Sequence, residues 1–222
     1  MSLVHYEVRT FDDFFSWLRA MNVQGGVVLD LDDVLFETYV DWFMRAENQF
    51  GNPGGERARD VFARGVYLQQ YWNFPEAHAF FYRLSSDDDV YDAIPVIGEM
   101  VEAVKTLRHI KPIVGYCTAR PITSYDRTRM RLLRLGLPDI PLVMRPTSVP
   151  LIDGSKWKAL GLRHVYPFVD SVVDDSHKLP DYLGRAYEGT VCVYRATQIV
   201  TSCAGAVACP CADDVIKVFA RR

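Results

Sequence analysis

The chain has 222 residues, of which 49% are hydrophobic and 24% are charged, so it can bury a sizeable core within one medium domain. Its net charge of -3 excludes a broad basic surface, which disfavours nucleic acid as a partner. No apolar run is long enough to span a bilayer, and the acidic N-terminal stretch lacks the features of a secretory signal. The sequence therefore predicts a cytoplasmic protein with no membrane partner.

The cysteines predict neither a disulfide framework nor a metal site. Their number is odd, and their spacing matches no common zinc pattern, which favours a reducing compartment. They are Cys117, Cys192, Cys203, Cys209 and Cys211. The role of the last three, which lie close together near the end of the chain, is not evident from the sequence.

The first part of the chain predicts one strand followed by a helical segment. A helix over 10–21, capped by Thr10, precedes an apolar strand over 27–29. Apolar residues then recur at helical spacing through residues 38–94, without a convincing strand. The predicted helices of this segment cover 39–50, 56–70 and 76–84, and turn-rich residues at 85–89 close it.

From Pro95 onward, strands and helices alternate in the pattern of a parallel sheet with right-handed crossovers. The sequence predicts helices over 96–108, 121–135, 155–160, 179–187 and 213–220, and strands over 112–117, 142–144, 168–173 and 190–194. Residues 196–210 carry no clear pattern. The predicted fold is α/β, a Rossmann-like core formed by 1–37 and 95–222, with a helical insertion at 38–94.

Polar residues lie at four places where a predicted strand ends or a helix begins after a strand. In a parallel sheet, such positions meet at one edge. Three carboxylates follow the first strand, a hydroxyl follows the second, a lysine begins a helix, and two carboxylates end a later strand. They are Asp30, Asp32, Asp33, Thr118, Lys156, Asp174 and Asp175. This set suits phosphoryl transfer, since one carboxylate can attack phosphorus, another can move a proton, and Mg2+ prefers oxygen ligands.

The stretches VVLDLDDVL, GYCTAR, GSKWK and SVVDD occur in this order, and the arrangement resembles the haloacid dehalogenase-like (HAD) hydrolase superfamily. The resemblance implies that Asp30 is the nucleophile and that Asp32 is the general acid and base, with a backbone carbonyl that meets Mg2+. It also implies that Thr118 holds the phosphoryl group. Asp33 is interpreted as a local cap.

Two positions of this pattern have competing candidates. The resemblance implies a lysine that neutralises the nucleophile and the phosphate, here called the motif lysine. Lys156 is preferred over Lys158 for this role because it begins a helix directly after Gly154 and Ser155. The metal site would be completed by Asp175, with Asp174 either as a further ligand or as its neighbour. Which of these two aspartates binds the metal directly stays open.

The insertion resembles the cap that closes over the site in this superfamily. Asp32 favours phosphatases, since the true dehalogenases lack an acid there. The small cap and the T-A-R-P turn are most similar to the 5'(3')-deoxyribonucleotidase branch, although that branch usually has glycine where Asp33 stands. Phe36 and Tyr39 are the preferred substrate contacts, and Arg120 is a candidate clamp for the phosphate or the leaving group.

The sequence thus predicts a Mg2+-dependent phosphomonoester hydrolase that acts through a phosphoaspartate on a small phosphometabolite, with a nucleoside monophosphate as one candidate. Two alternatives stay open. The basic stretch RTRMRLLR at 127–134 could direct the same site to nucleic-acid ends. A catalytically silent interaction module is the other. The sequence leaves the oligomeric state undetermined.

Overall fold

Short aliphatic runs form a six-stranded sheet in the computed structural model, which describes residues 8–220. All neighbouring strands pair in parallel, and the order across the sheet is β3-β2-β1-β4-β5-β6. The strands are β1 Val27–Leu29, β2 Ile113–Pro121, β3 Leu142–Arg145, β4 Ser171–Asp174, β5 Thr190–Tyr194 and β6 Ala206–Cys209. The described chain does not include residues 1–7 or residues 221–222. Residues 1–7 belong to the stretch in which the sequence predicts no secretory signal.

Helices cover both faces of this sheet, which confirms the predicted α/β architecture. Their bounds are α1 Phe11–Ala20, α2 Thr38–Phe50, α3 Ala58–Ala63, α4 Leu68–Tyr71, α5 Pro75–Leu84, α6 Asp88–Ala93, α7 Gly98–Leu107, α8 Tyr125–Arg134, α9 Gly154–Val165, α10 Leu179–Leu183 and α11 Ala212–Ala220. Short 3-10 turns precede α8 and α9. No helix within residues 8–220 has the length and apolarity needed to cross a membrane.

The two faces of the sheet belong to two apolar clusters, as strand alternation requires. Leu29 points into the larger cluster, whereas Val28 points into the smaller one on the opposite face. Aromatic residues of α2 and α5, including Trp42 and Phe81, share the larger cluster with Leu29. The helical segment is therefore packed continuously with one face of the sheet.

Helices α2–α6 all lie between β1 and α7, in the segment where the sequence predicts only helices. The predicted helix over 56–70 is divided into α3 and α4, because Gly65 between them has a positive φ of 68° that ends a helix. The acidic stretch near residue 88, predicted as a turn, forms α6 with Asp87 as its cap.

Three elements of the core differ from the predicted bounds. Strand β2 continues to Pro121 rather than ending at residue 117, and α9 continues to Val165 rather than residue 160. Strand β6 occupies part of the unassigned stretch at 196–210. It is a short edge strand of small residues, so it carries little of the hydrophobic pattern that marks a strand.

Candidate active site

The loop that follows β1, residues 30–37, is named the acidic loop. Its first backbone N–H, that of Asp30, donates to Val173 O at 2.9 Å and so extends the sheet by one residue. A tight turn follows, in which Leu35 and Phe36 both donate to Leu31 O, and Asp33 adopts a positive φ of 56°. The turn keeps the loop carboxylates at the carboxyl edge of the central strand, where open α/β sheets bind ligands.

Lys158 lies directly against Asp30. Its Nζ is 2.6 Å from Asp30 Oδ2 and 2.8 Å from Asp174 Oδ2, and all three side chains are buried. Burial by itself would lower the pKa of Lys158, but the attraction of Asp174 and Asp30 outweighs it and raises that pKa well above its usual value. The site therefore contains a fixed ammonium beside the first carboxylate of the acidic loop.

The preference for Lys156 over Lys158 is not supported by this geometry. Lys156 is exposed on α9, whereas Lys158 is 4% exposed. Two residues on a helix differ by about 200° around its axis, so only one of the two lysines can face the sheet. Gly154 lets the start of α9 approach β2 closely, because a Cβ at this position would lie 2.9 Å from Ala119 Cβ.

Asp32 is enclosed by hydrogen-bond donors. Thr38 Oγ1 donates to Oδ1 at 2.5 Å, Thr118 Oγ1 donates to Oδ2 at 3.2 Å, and the Arg120 guanidinium donates to both oxygens at 2.9 to 3.2 Å. Burial alone would raise the pKa of Asp32, but the charge and hydrogen bonds of Arg120, together with Thr38, hold it below its usual value. These donors therefore favour the anionic form of Asp32.

Asp33 has a different role from its neighbours. Its carboxylate accepts the backbone N–H of Tyr39 at 3.0 and 3.1 Å, which caps the start of α2. Burial raises the pKa of Asp33 to about 8, although the hydrogen bond from Tyr39 opposes this change. The position of Asp33 matches the local cap that the sequence predicts.

Three carboxylates could hold a divalent cation. One oxygen from each of Asp30, Asp174 and Asp175 lies within 4.8 Å of the others. Asp30 Oδ1 is buried and accepts no hydrogen bond from any of the described residues. Burial raises the pKa of both Asp30 and Asp175 well above the usual range, and neighbouring carboxylates add to the effect. One ammonium facing three carboxylates leaves excess negative charge, so the donor set fits a hard cation such as Mg2+.

Asp174 and Asp175 differ in what they contact. Asp174 uses Oδ2 for Lys158 and Oδ1 for the backbone N–H of Ser176 at 2.8 Å. Asp175 instead lines the cavity beside Asp30. The geometry therefore favours Asp175 as the more accessible ligand.

A cavity of about 740 Å3 opens between the sheet edge and the helical segment. From the sheet side it is lined by Asp30, Asp32, Lys158 and Asp175, and from the helical side by residues that include Tyr39, Trp42, Phe62 and Tyr67. Further lining comes from the loop after β5, at 197–200. The cavity is large enough for an organic group of the size of a nucleoside.

Two of the predicted substrate contacts do not lie where the sequence placed them. Phe36 is fully buried, because its backbone bridges to Val96 and turns the ring into the core. Arg120 is 1% exposed and contacts Asp32 rather than the cavity. Tyr39 does line the cavity, and its hydroxyl donates to Val66 O at 2.7 Å.

One contact at the rim of the cavity could not be predicted from the sequence. Lys178 Nζ lies 4.1 Å from the centre of the Tyr67 ring, which joins the loop after β4 to the helical segment. The two residues are 111 positions apart in the sequence, and neither belongs to a motif. Only the folded chain brings them together.

The parallel sheet, the helical segment after its first strand and the carboxylates at its central edge define an α/β protein with the haloacid dehalogenase-like fold. Solved structures of this fold match nearly the whole chain. A Thermotoga maritima protein assigned as a beta-phosphoglucomutase is 19% identical with a TM-score of 0.50, and the match covers 89% of this chain and 99% of that one.

Two further structures extend this comparison. Protein tyrosine kinase A of Mycobacterium tuberculosis is 17% identical with a TM-score of 0.54, over 87% of this chain and 96% of that one. A Bacillus subtilis HAD-hydrolase, YfnB, solved with bound magnesium, is 10% identical with a TM-score of 0.50, over 88% and 99%. No protein-family model and no curated protein matches the sequence. The similarity is therefore one of fold.

Proposed function

We propose that this protein is a Mg2+-dependent phosphomonoester hydrolase in which Asp30 is the nucleophile. The observation that carries this proposal is the contact of 2.6 Å between Lys158 Nζ and Asp30 Oδ2, at the floor of a cavity that also contains Asp32. The ammonium fixes one oxygen of Asp30, while Oδ1 has no hydrogen-bond partner in the described chain. A positioned carboxylate with one free oxygen suits attack on phosphorus.

In the first half of the proposed reaction, a carboxylate oxygen of Asp30 attacks the phosphorus of the substrate. The bond between phosphorus and the leaving oxygen breaks, and its electron pair goes to the leaving oxygen. Asp32 in its protonated form gives that oxygen a proton. The products of this half are a phosphoaspartate at position 30 and the free alcohol.

In the second half, water attacks the phosphorus of the phosphoaspartate. Asp32, now a carboxylate, takes a proton from that water, and the bond between phosphorus and the Asp30 oxygen breaks. Inorganic phosphate leaves and Asp30 is restored. The donors around Asp32 favour its anionic form, which is the form that accepts the proton in this step.

Asp30 and Asp175, with Asp174 beside them, are the residues that would hold Mg2+. The bound cation supplies charge neutralisation for the phosphate oxygens. In this arrangement Lys158 would neutralise Asp174 and the nucleophile. Thr118, which the sequence predicts to hold the phosphoryl group, is instead fully buried and donates to Asp32, so it would act through that carboxylate. The magnesium in the B. subtilis structure supports this cofactor for the same fold.

The fold alone does not decide between phosphoryl transfer reactions, since the similar structures include one described as a kinase and one assigned as a mutase. The local chemistry favours hydrolysis. Asp32 lines the cavity two residues after the nucleophile, where its carboxylate can activate water. The Asp32 side chain is 22% exposed, so water can reach this position.

For the substrate we propose a small phosphometabolite with a flat organic group, and a nucleoside monophosphate is the leading candidate. Tyr39, Phe62 and Tyr67 line the side of the cavity that faces the sheet edge. Aromatic rings of this kind can stack on a planar base. This assignment would give the helical segment, 38–94, the role of a cap that selects the leaving group.

The alternative in which the basic helix binds nucleic-acid ends has less support. On α8, Arg127 pairs with Asp89, and Arg129 pairs with Asp139. Arg131 donates to the backbone carbonyls of Tyr91 and Ile94. These arginines are engaged within the protein, so they offer few cations to a phosphate backbone.

The proposal is tested by phosphate release from 4-nitrophenyl phosphate, measured with Mg2+ and then with a chelator. We expect turnover with Mg2+ only, and none in Asp30→Asn. Asp213→Asn, an exposed carboxylate on α11, is the matched control and should behave as the wild type. Metal-dependent turnover that persists in Asp30→Asn would overturn the mechanism. A panel of nucleoside monophosphates and sugar phosphates then ranks substrates by kcat/KM.

A further inference from the structure

Arg120 is the buried cation whose role the proposed reaction leaves unexplained. Its side chain has no exposed surface, yet its Nε and Nη2 atoms make three hydrogen bonds to the Asp32 carboxylate. The contact joins two parts of the chain that are 88 residues apart. An arginine fork against both oxygens of a carboxylate fixes the position and the rotation of that group.

The surroundings of Arg120 hold the guanidinium in place. The ring centres of Phe36 and Tyr91 lie 4.5 and 4.6 Å from its Cζ. Phe36 belongs to the acidic loop, and Tyr91 belongs to α6. The guanidinium therefore packs against two aromatic rings, which, together with its hydrogen bonds to Asp32, restrict its movement.

The cavity lining also argues against direct contact with the substrate. Lys158 contributes to that lining and approaches Asp30, whereas Arg120 is absent from it. A clamp for phosphate would need its donors to face the cavity. The Nε and Nη2 donors of Arg120 instead face Asp32, which itself lines the cavity, while Nη1 is buried and has no hydrogen-bond partner among the described residues.

We propose that Arg120 is a positioning residue that holds the Asp32 carboxylate at the reacting phosphate, and that it does not bind the substrate. This assignment rests on the proposed function, because Asp32 has a task only if the protein transfers a phosphoryl group. Lysine cannot replace arginine here, since one ammonium cannot reach both oxygens in a fixed plane.

The test is a double-mutant cycle between Arg120→Lys and Asp32→Asn on 4-nitrophenyl phosphate, whose good leaving group keeps the slow variants measurable. In the wild-type background, Arg120→Lys should lower kcat by about 10²-fold, the scale of general acid-base catalysis. In the Asp32→Asn background, the same substitution should change kcat by no more than about twofold, since its target is gone. Inorganic phosphate should inhibit wild type and Arg120→Lys equally.

Arg131→Lys is the matched control. The Cζ atom of Arg131 lies 4.3 Å from the centre of the same Phe36 ring, but its donors go to backbone carbonyls and not to Asp32. We expect wild-type kcat for this variant. Thermal melting checks that each variant folds. If Arg120→Lys does not fold, Arg120→Gln, which keeps hydrogen-bond donors without a buried charge, replaces it in the cycle.

Three results would overturn the assignment while leaving the phosphatase intact. They are an equal loss in both backgrounds, weaker inhibition by phosphate with kcat unchanged, and an equal loss in Arg131→Lys. If the wild-type protein shows no phosphate release, or if its phosphate release does not depend on Asp30, the proposed function is wrong, and this assignment is wrong with it. The two kinds of failure are thus distinguishable.

Discussion

The two sides of the cavity differ in chemical character. The sheet side contributes buried charges that are paired with each other, such as Lys158 with Asp30 and Arg120 with Asp32. The helical side contributes aromatic rings and backbone groups, with Tyr39 and Tyr67 among them. In the proposed function, the chemical step depends on the sheet side, and the fit of the leaving group depends on the helical side.

The largest effect on stability and activity is expected from removal of the buried lysine on the sheet side of the cavity. Lys158→Met leaves Asp30 and Asp174 buried without their cation, which should lower the free energy of unfolding by about 3–5 kcal/mol. Phosphate release should be lost as well. Chemical denaturation and the 4-nitrophenyl phosphate assay measure the two effects.

Lys156→Met is the control for this variant, because Lys156 is exposed on the same helix. Its free energy of unfolding should stay within about 0.5 kcal/mol of the wild type. If Lys156→Met loses activity and Lys158→Met retains it, the assignment of the motif lysine is wrong.

Asp32→Asn should separate protonation of the leaving group from attack on phosphorus. An alkyl phosphate, whose leaving oxygen needs a proton, should lose about 10²- to 10⁴-fold in kcat/KM. 4-Nitrophenyl phosphate should lose much less in kcat/KM, because its leaving group departs without a proton. Its kcat should still fall, because Asp32 also takes the proton from the attacking water in the second half of the reaction. Equal losses on both substrates would contradict the role of Asp32 as the acid.

Asp174, which ends β4, and Asp175, which follows it, should respond differently to Mg2+. At a concentration of 100 times its Kd, Mg2+ should stabilise the wild type by about 2.7 kcal/mol, and Asp175→Asn should abolish this effect. Asp174→Asn should instead destabilise the metal-free protein by about 1–3 kcal/mol, since the amide nitrogen that replaces Oδ2 cannot accept the hydrogen bond of Lys158 or balance its charge. Thermal melting with and without Mg2+ distinguishes the two.

The smallest effect is expected on the helical side. Tyr39→Phe removes the hydrogen bond from the Tyr39 hydroxyl to Val66 O and should cost about 1 kcal/mol of stability. Turnover of 4-nitrophenyl phosphate should stay unchanged, while KM for larger phosphate esters should rise. A large loss of kcat on the small substrate would contradict the division of roles between the two sides.

Much of the fold follows from local pattern in the sequence. The buried strand at 27–29 and the Thr10 cap of α1 have the predicted form, because each depends on neighbours within a few residues. Strand β6 was missed because it is stabilised by its pairing with β5, and its small side chains show no periodicity. Pairing between distant segments leaves little trace in a single sequence.

The site shows the same limit. The carboxylates at strand ends could be predicted, since the topology of a parallel sheet brings them together. The choice between Lys156 and Lys158 depends on the rotation of α9 about its axis, which the sheet determines. Likewise, Phe36 lies near the strand end in sequence, but the bridge to Val96 decides that its ring faces the core.

The hydrogen bonds between the acidic loop and α2 have a consequence for protein engineering. Thr38 donates to Asp32 through its hydroxyl, and Tyr39 donates to Asp33 through its backbone. A chimaera that exchanges the helical segment for that of another protein would therefore also exchange the hydroxyl that holds Asp32, whereas any residue other than proline at position 39 would keep the backbone donor to Asp33. Designs that graft a new specificity onto this scaffold should join the sequences after Tyr39 rather than before Thr38.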